Sequence, residues 1–233
     1  MRGLFVTGTD TGAGKTVVAG AVCAALAARG ERVAAFKPAL TGLDEAPAAW
    51  PRDHELLAHA ASAGQSPEEV APWRLGPPAS PHLAAELSGV ELAPRAMTNA
   101  ARALGRGADA LVCEGVGGLL VPLCGRYLVR DLAVELGLAV LVAARTGLGT
   151  INHTLLTVEA ARAVGLRVVG VVMTPWPEAP SPLERSNRAT VERLARVPVA
   201  RLPPIDPASL AAAGAVLPLD DWLGSPAAAT PAA

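Results

Sequence analysis

The segment that most limits what this chain can fold into is Gly8-Thr9-Asp10-Thr11-Gly12-Ala13-Gly14-Lys15-Thr16. It stands between an apolar run, Gly3 to Thr7, and an Ala-rich stretch, Gly14 to Ala28, that reads as a helix stopping at Gly30. A glycine-rich turn from strand to helix lets backbone N–H groups point at phosphate oxygens, and the new helix adds its positive N-terminal end. Lys15 suits β- and γ-phosphates, and the Thr16 hydroxyl suits magnesium. We therefore expect Gly12, Ala13, Gly14, Lys15, Thr16 and Val17 to hold a nucleotide, with Thr16 also a metal ligand. The usual spacing, G-x-x-x-x-G-K-[ST], puts its first glycine where this chain has Thr9, with Gly8 one step earlier. The spacing departs while the chemistry is kept.

Apolar bursts of strand length recur between longer helical patterns, the rhythm of a parallel sheet covered by helices on both faces. Strands are expected at Gly3–Thr7, Arg32–Lys37, Ala110–Glu114, Ala139–Ala143, Val168–Met173 and Val197–Leu202. Helices are expected at Gly14–Ala28, His54–Ala63, Pro94–Leu104, Leu132–Leu136, Ile151–Val164 and Leu183–Ala195. The proline run between Thr174 and Pro182 reads as a loop. The fold class is then α/β, a doubly wound and mostly parallel sheet flanked by helices. With 233 residues, 51% hydrophobic and 18% charged, the chain suits one domain over 1–224, with 225–233 a disordered tail.

A formal net charge of −1 gives no field of the kind that nucleic acid or an anionic membrane requires. Small molecules and further copies of the chain are the expected partners. Cys23, Cys113 and Cys124 lie far apart without C-x-x-C spacing, and the histidines show no ligand spacing, so neither a disulfide framework nor a zinc site is expected. The apolar run at the start is too short for a signal peptide and no later run approaches membrane-spanning length, which points to the cytoplasm.

Further site candidates stand at strand and helix ends. Glu114 ends the apolar run Leu111-Val112-Cys113, where an ionised carboxylate is costly without a cation or donor. Asp53 is a second hard oxygen ligand for magnesium, or else the cap of a helix. Lys37 stands at the carboxyl end of a strand, the edge where open α/β sheets bind ligands, or is a surface lysine there. Gly115, Val116 and Gly117 either bring backbone close to a nucleotide or form a plain turn. Gly149, Thr150 and Asn152 open a helix whose N–H groups suit an anion, or are an ordinary capped start.

Gly8 to Thr16, Phe36-Lys37-Pro38, Asp53, Ser80-Pro81-His82-Leu83-Ala84-Ala85, Glu114-Gly115-Val116-Gly117-Gly118 and Thr146-Gly147-Leu148-Gly149-Thr150-Ile151-Asn152-His153 follow one another in an order that resembles the dethiobiotin synthetase family, of the P-loop NTPase class. The resemblance runs from the start to about Leu202. It implies an enzyme that closes the ureido ring of dethiobiotin from 7,8-diaminononanoate, carbon dioxide and ATP, with Mg2+. It implies that Lys37 meets carbamate and transferring phosphate, with Lys15 and Thr11 beside it as catalytic groups. Thr41 then touches substrate, as do Gly149, Thr150 and Asn152, which receive the tail carboxylate from a neighbouring subunit in a homodimer with shared sites. Where many relatives carry an adenine-reading asparagine this chain has Thr174, followed by Pro175, and Pro203 falls in the loosely matched base-flanking segment. Other nucleoside triphosphates stay open beside ATP. Competing readings are another P-loop amidoligase, a degenerate nucleotide-binding module, and a partition- or septum-type ATPase, whose loop carries a lysine where this chain has Asp10.

Overall fold

In the computed structural model, which describes residues 1–46 and 50–224, the first apolar run forms β1 (Gly3–Gly8), buried along its whole length. Each side of it pairs with another parallel strand: β3 (Ala110–Gly118) on one side and β6 (Ala139–Ala144) on the other. With β2 (Val33–Phe36), β7 (Val168–Met173) and β8 (Val199–Arg201) they make a six-stranded parallel sheet of order β2-β3-β1-β6-β7-β8. A small antiparallel hairpin, β4 (Pro122–Cys124) and β5 (Tyr127–Leu128), stands apart. The order turns outward in both directions from β1 and β3, so the crevice at their carboxyl ends is where ligand is expected.

Side chains alternate between two apolar layers, as period-2 geometry requires. Phe5, Leu111, Cys113, Val140 and Val142 face one layer. It includes residues of α4 (Pro81–Ser88), α5 (Pro94–Arg106), α6 (Val129–Leu136), α7 (Thr150–Arg162) and α8 (Pro182–Ala195). Leu4, Val6, Val112 and Leu141 face the other, with α1 (Lys15–Ala28), α2 (Asp53–Ala60), α9 (Leu210–Gly214) and α10 (Leu219–Leu223). A short α3 (Pro67–Val70) follows α2.

Two expected boundaries shift for local reasons. The third strand runs on to Gly118, because the backbone beyond Glu114 still pairs with the end of β1, Gly8 opposite Gly118. The helix expected from His54 to Ala63 ends at Ala60, where the N–H groups of Ser62 and Ala63 turn to donate to Val33 O at 3.0 and 2.9 Å. The hairpin, α3, α4, α9 and α10 were not expected at all. The tail expected at 225–233 lies outside the described residues.

The small residues of α1 let α9 approach closely. A Cβ on Gly214 would sit 2.0 Å from Ala21 O, whereas one on Gly20 meets only side-chain carbons, of Leu210 at 3.4 Å and of Leu56 at 3.7 Å. Gly214→Ala is expected to destabilise by about 1–3 kcal/mol through overpacking. Gly20→Ala is expected to be neutral or to stabilise by up to about 1 kcal/mol through helix propensity. Thermal unfolding of the two variants checks the contrast.

Candidate active site

β1 gives way to the phosphate loop with its pairing intact, since the Thr9 N–H donates to Ala143 O at 3.0 Å. Thr9 has no positive φ, which is why a non-glycine is tolerated in the usual first-glycine position. The glycine one step earlier has another duty. A Cβ on Gly8 would lie 2.9 Å from Lys15 Cγ, so Gly8 clears the path by which Lys15 crosses back over its own loop to donate from Nζ to Asp10 O at 3.0 Å. Gly14 closes the loop in the left-handed region, φ 88°.

A cleft of about 790 Å³ opens there. Thr11, Gly12, Gly14, Lys15, Thr16, Val17, Lys37, Thr41, Asp53, Glu114, Val116 and Gly117 all line it. At its floor is a polar cluster drawn from four segments, with Lys37 and Glu114 buried and Thr16 and Asp53 partly exposed. Lys37, at the end of β2, places Nζ 2.6 Å from Glu114 Oε1 and 2.9 Å from Asp53 Oδ2. The Thr16 hydroxyl donates to Glu114 Oε1 at 3.0 Å. Asp53 is the first residue of α2 and does not cap it; the Arg52 N–H is capped by Glu55 Oε2 at 2.9 Å, which leaves Asp53 free for Lys37.

The electrostatics follow from burial and pairing. Burial pulls the Lys37 ammonium down, yet the carboxylates of Glu114 and Asp53 outweigh it and hold its pKa above the ordinary lysine range. Burial pushes the Glu114 carboxyl up, against the pull of Lys37. Burial also acts to raise Asp53, but Lys37 holds that carboxyl below its usual range. Lys15, without so close a carboxylate, is lowered by burial. Glu114 Oε2 is buried and has no partner within the protein. An orphaned buried oxygen next to a loop hydroxyl and a second carboxylate fits a divalent cation held by hard oxygens. No cluster of three or more His, Cys, Asp or Glu is present among the described residues, so the protein's share of such a site would be Thr16, Asp53 and Glu114.

The remaining candidates lie off the cleft. Ala13 is buried within the loop, and the open side of Gly115 faces Val129 and Phe5, 3.0 and 3.1 Å from where a Cβ would stand. Thr174 and Pro175 follow β7 and Pro203 follows β8. Gly149 is the N-cap of α7, with φ 88°; Thr150 is buried and donates to Arg145 O at 2.6 Å, while Asn152 is exposed. Two residues that sequence reasoning did not single out tie this region to the loop. Arg145, at the end of β6, donates from Nη2 to Thr11 O at 2.9 Å, and the buried Asn187 donates from Nδ2 to Thr146 O and Gly147 O at 3.0 and 3.1 Å. Arg145 stands at a strand's carboxyl end, the same signal that marked Lys37.

A family model described as an AAA domain matches residues 2–210. Among solved structures, the ParA family ATPase from Chlorobium tepidum TLS superposes with a TM-score of 0.56 at 12% identity, over 94% of this chain and 92% of that one. The septum site-determining protein MinD from Pyrococcus horikoshii OT3 gives 0.54 at 16% identity, over 92% and 93%. These likenesses establish the nucleotide-binding fold alone. The ATP-dependent dethiobiotin synthetase of Anaeromyxobacter dehalogenans (strain 2CP-1) is 47% identical over 204 residues, 87% of this chain and 90% of the relative. The chain belongs to the dethiobiotin synthetase family. The dethiobiotin synthetase of Brucella ovis, at 43% identity over 84% of this chain and 85% of its own, extends the match beyond one genus. Membership in this ATP-dependent family accounts for a phosphate loop whose cleft also buries a lysine between two carboxylates.

Proposed function

We propose that the chain is an ATP- and Mg2+-dependent ligase that makes dethiobiotin from 7,8-diaminononanoate and carbon dioxide in biotin biosynthesis. The observation that favours this over a switch ATPase is Lys37, an ammonium buried at the head of the phosphate loop with two carboxylates around it. One substrate amine takes up carbon dioxide as a carbamate. The carbamate oxygen takes the γ-phosphoryl group of ATP, releasing ADP, and the second amine then attacks the carbonyl carbon and expels phosphate.

Lys15 and the loop N–H groups hold the phosphates, and Lys37 neutralises the charge that gathers on carbamate and transferring phosphate. Thr11 and Thr41 offer hydroxyls at the cleft wall. Thr16, Asp53 and Glu114 would hold Mg2+, which would neutralise phosphate charge when bound. The chain would work in the cytoplasm, with residues 1–224 as one domain; no described helix is long and apolar enough to cross a membrane.

Two copies would share their sites across α7. A groove of about 490 Å³ runs between this helix and the outer side of the phosphate loop, lined by Thr9, Asp10, Leu120, His153, Leu156 and Thr157. Leu120, Leu148 and Leu156 are 52, 91 and 55% exposed, and exposed apolar surface of that kind marks an interaction face. The Gly149–Asn152 helix start beside it would receive the substrate's tail carboxylate.

Phosphate release from ATP with magnesium and bicarbonate, with and without 7,8-diaminononanoate, tests the reading. Release that depends on the diamine, with a product of dethiobiotin's mass, is the expected result. Release that ignores the diamine would instead indicate a switch-type ATPase.

A further inference from the structure

The space over Gly14, the last residue of the phosphate loop, is occupied from the neighbouring strand end. A Cβ on Gly14 would lie 2.4 Å from Thr174 Cγ2. Thr174 is 4% exposed, and its backbone N–H donates to Ala144 O at 3.0 Å, which fixes it to the end of β6. The residues on either side are also tied down: Trp176 N–H donates to Leu202 O at 2.7 Å, and Leu202 N–H donates to Met173 O at 3.1 Å. The methyl is therefore delivered by a rigid strand end on a β-branched side chain with few rotamers. It lands on the glycine that immediately precedes Lys15, and the Gly14 carbonyl accepts from Val18 N–H at 3.0 Å to start α1. Thr174 does not line the nucleotide cleft.

We propose that Thr174 is a positioning residue that acts through Gly14: its methyl holds the loop's left-handed corner, and with it Lys15 and the first turn of α1, in register with the phosphates, and it takes no part in reading the base. This rests on the nucleotide use proposed above. The phosphates are common to every nucleoside triphosphate. Loss of the methyl leaves a gap on one side of Gly14, forfeits its packing, and loosens the loop for all nucleotides alike.

Thr174→Ser removes the methyl and keeps the hydroxyl, whereas Thr174→Val keeps a methyl and removes the hydroxyl. Calorimetric affinities for Mg-ATP, Mg-CTP and Mg-GTP, with KM and kcat for each in dethiobiotin formation, separate the roles. The serine variant is expected to weaken all three nucleotides by a common factor of about five, with KM rising and kcat falling together, and the valine variant to stay within about twofold of the parent. A serine variant indistinguishable from the parent, or a valine variant that loses one nucleotide and keeps the others, overturns the proposal. A parent protein that binds these nucleotides without diamine-dependent turnover overturns the synthetase reading alone, since the affinity comparison still decides the role of Thr174. Failure to bind any nucleotide overturns both.

Discussion

Lys37→Ala is expected to lower turnover by about a thousandfold while leaving nucleotide affinity within a few-fold of the parent. The scale is that of removing one preorganised charge partner from a developing anion in a water-poor site. The same change leaves Glu114, 1% exposed, without its cation, which costs about 3–5 kcal/mol of stability at neutral pH. The pH dependence has a definite sign. The Glu114 carboxyl, already raised by burial, rises further once the ammonium 2.6 Å away is gone. A folded-state carboxyl raised above its unfolded value binds its proton more tightly, so the variant's deficit is present above that raised pKa and shrinks as pH falls through it. Combining Lys37→Ala with Glu114→Gln separates the two effects: the double variant should regain stability and remain inactive. Recovery of turnover along with stability would reduce Lys37 to a structural counter-ion. Strong residual synthesis by the single variant would exclude it from the chemistry.

Glu114→Gln alone is expected to raise the magnesium concentration for half-maximal rate by about 10- to 100-fold. The amide keeps the shape and the hydrogen-bond reach of the side chain. It loses the negative charge that makes the buried, unpartnered Oε2 a suitable cation ligand. Lys37 remains paired with Asp53 at 2.9 Å, so the variant should fold. A magnesium titration at saturating ATP and diamine measures the shift, and an unchanged profile would mean that Glu114 serves only to hold Lys37.

The six strands were legible because strands buried on both faces write themselves as unbroken apolar runs, as in Leu111-Val112-Cys113 and Val168–Met173. What escaped was short or opened with proline. The hairpin strands are three and two residues long, too short for any period to register. Helices α3 and α4 begin at Pro67 and Pro81, which read as loop punctuation, although Ser66 and Ser80 immediately before them are the N-cap residues of proline-led helix starts. At the cleft, Lys37, Asp53 and Glu114 could be named from their places at strand and helix ends. Their mutual pairing could not, because Lys37 and Glu114 are 77 positions apart and only the parallel register of β2 beside β3 brings them together. Thr174 stands where many relatives carry an adenine-reading asparagine, and its sequence position does not reveal that its methyl turns toward Gly14.

The three-way contact of Lys37 with Glu114 and Asp53 makes nucleotide entry an exchange of partners. Lys37 already holds one oxygen each of Glu114 and Asp53, while Glu114 Oε2 has no partner within the protein. A metal held by Thr16, Asp53 and Glu114 would compete with Lys37 for those carboxylates, and the ammonium so displaced would need a new anion at the same moment. Phosphate would supply that anion. Metal and nucleotide would then each favour the uptake of the other, and the cleft should take them up cooperatively.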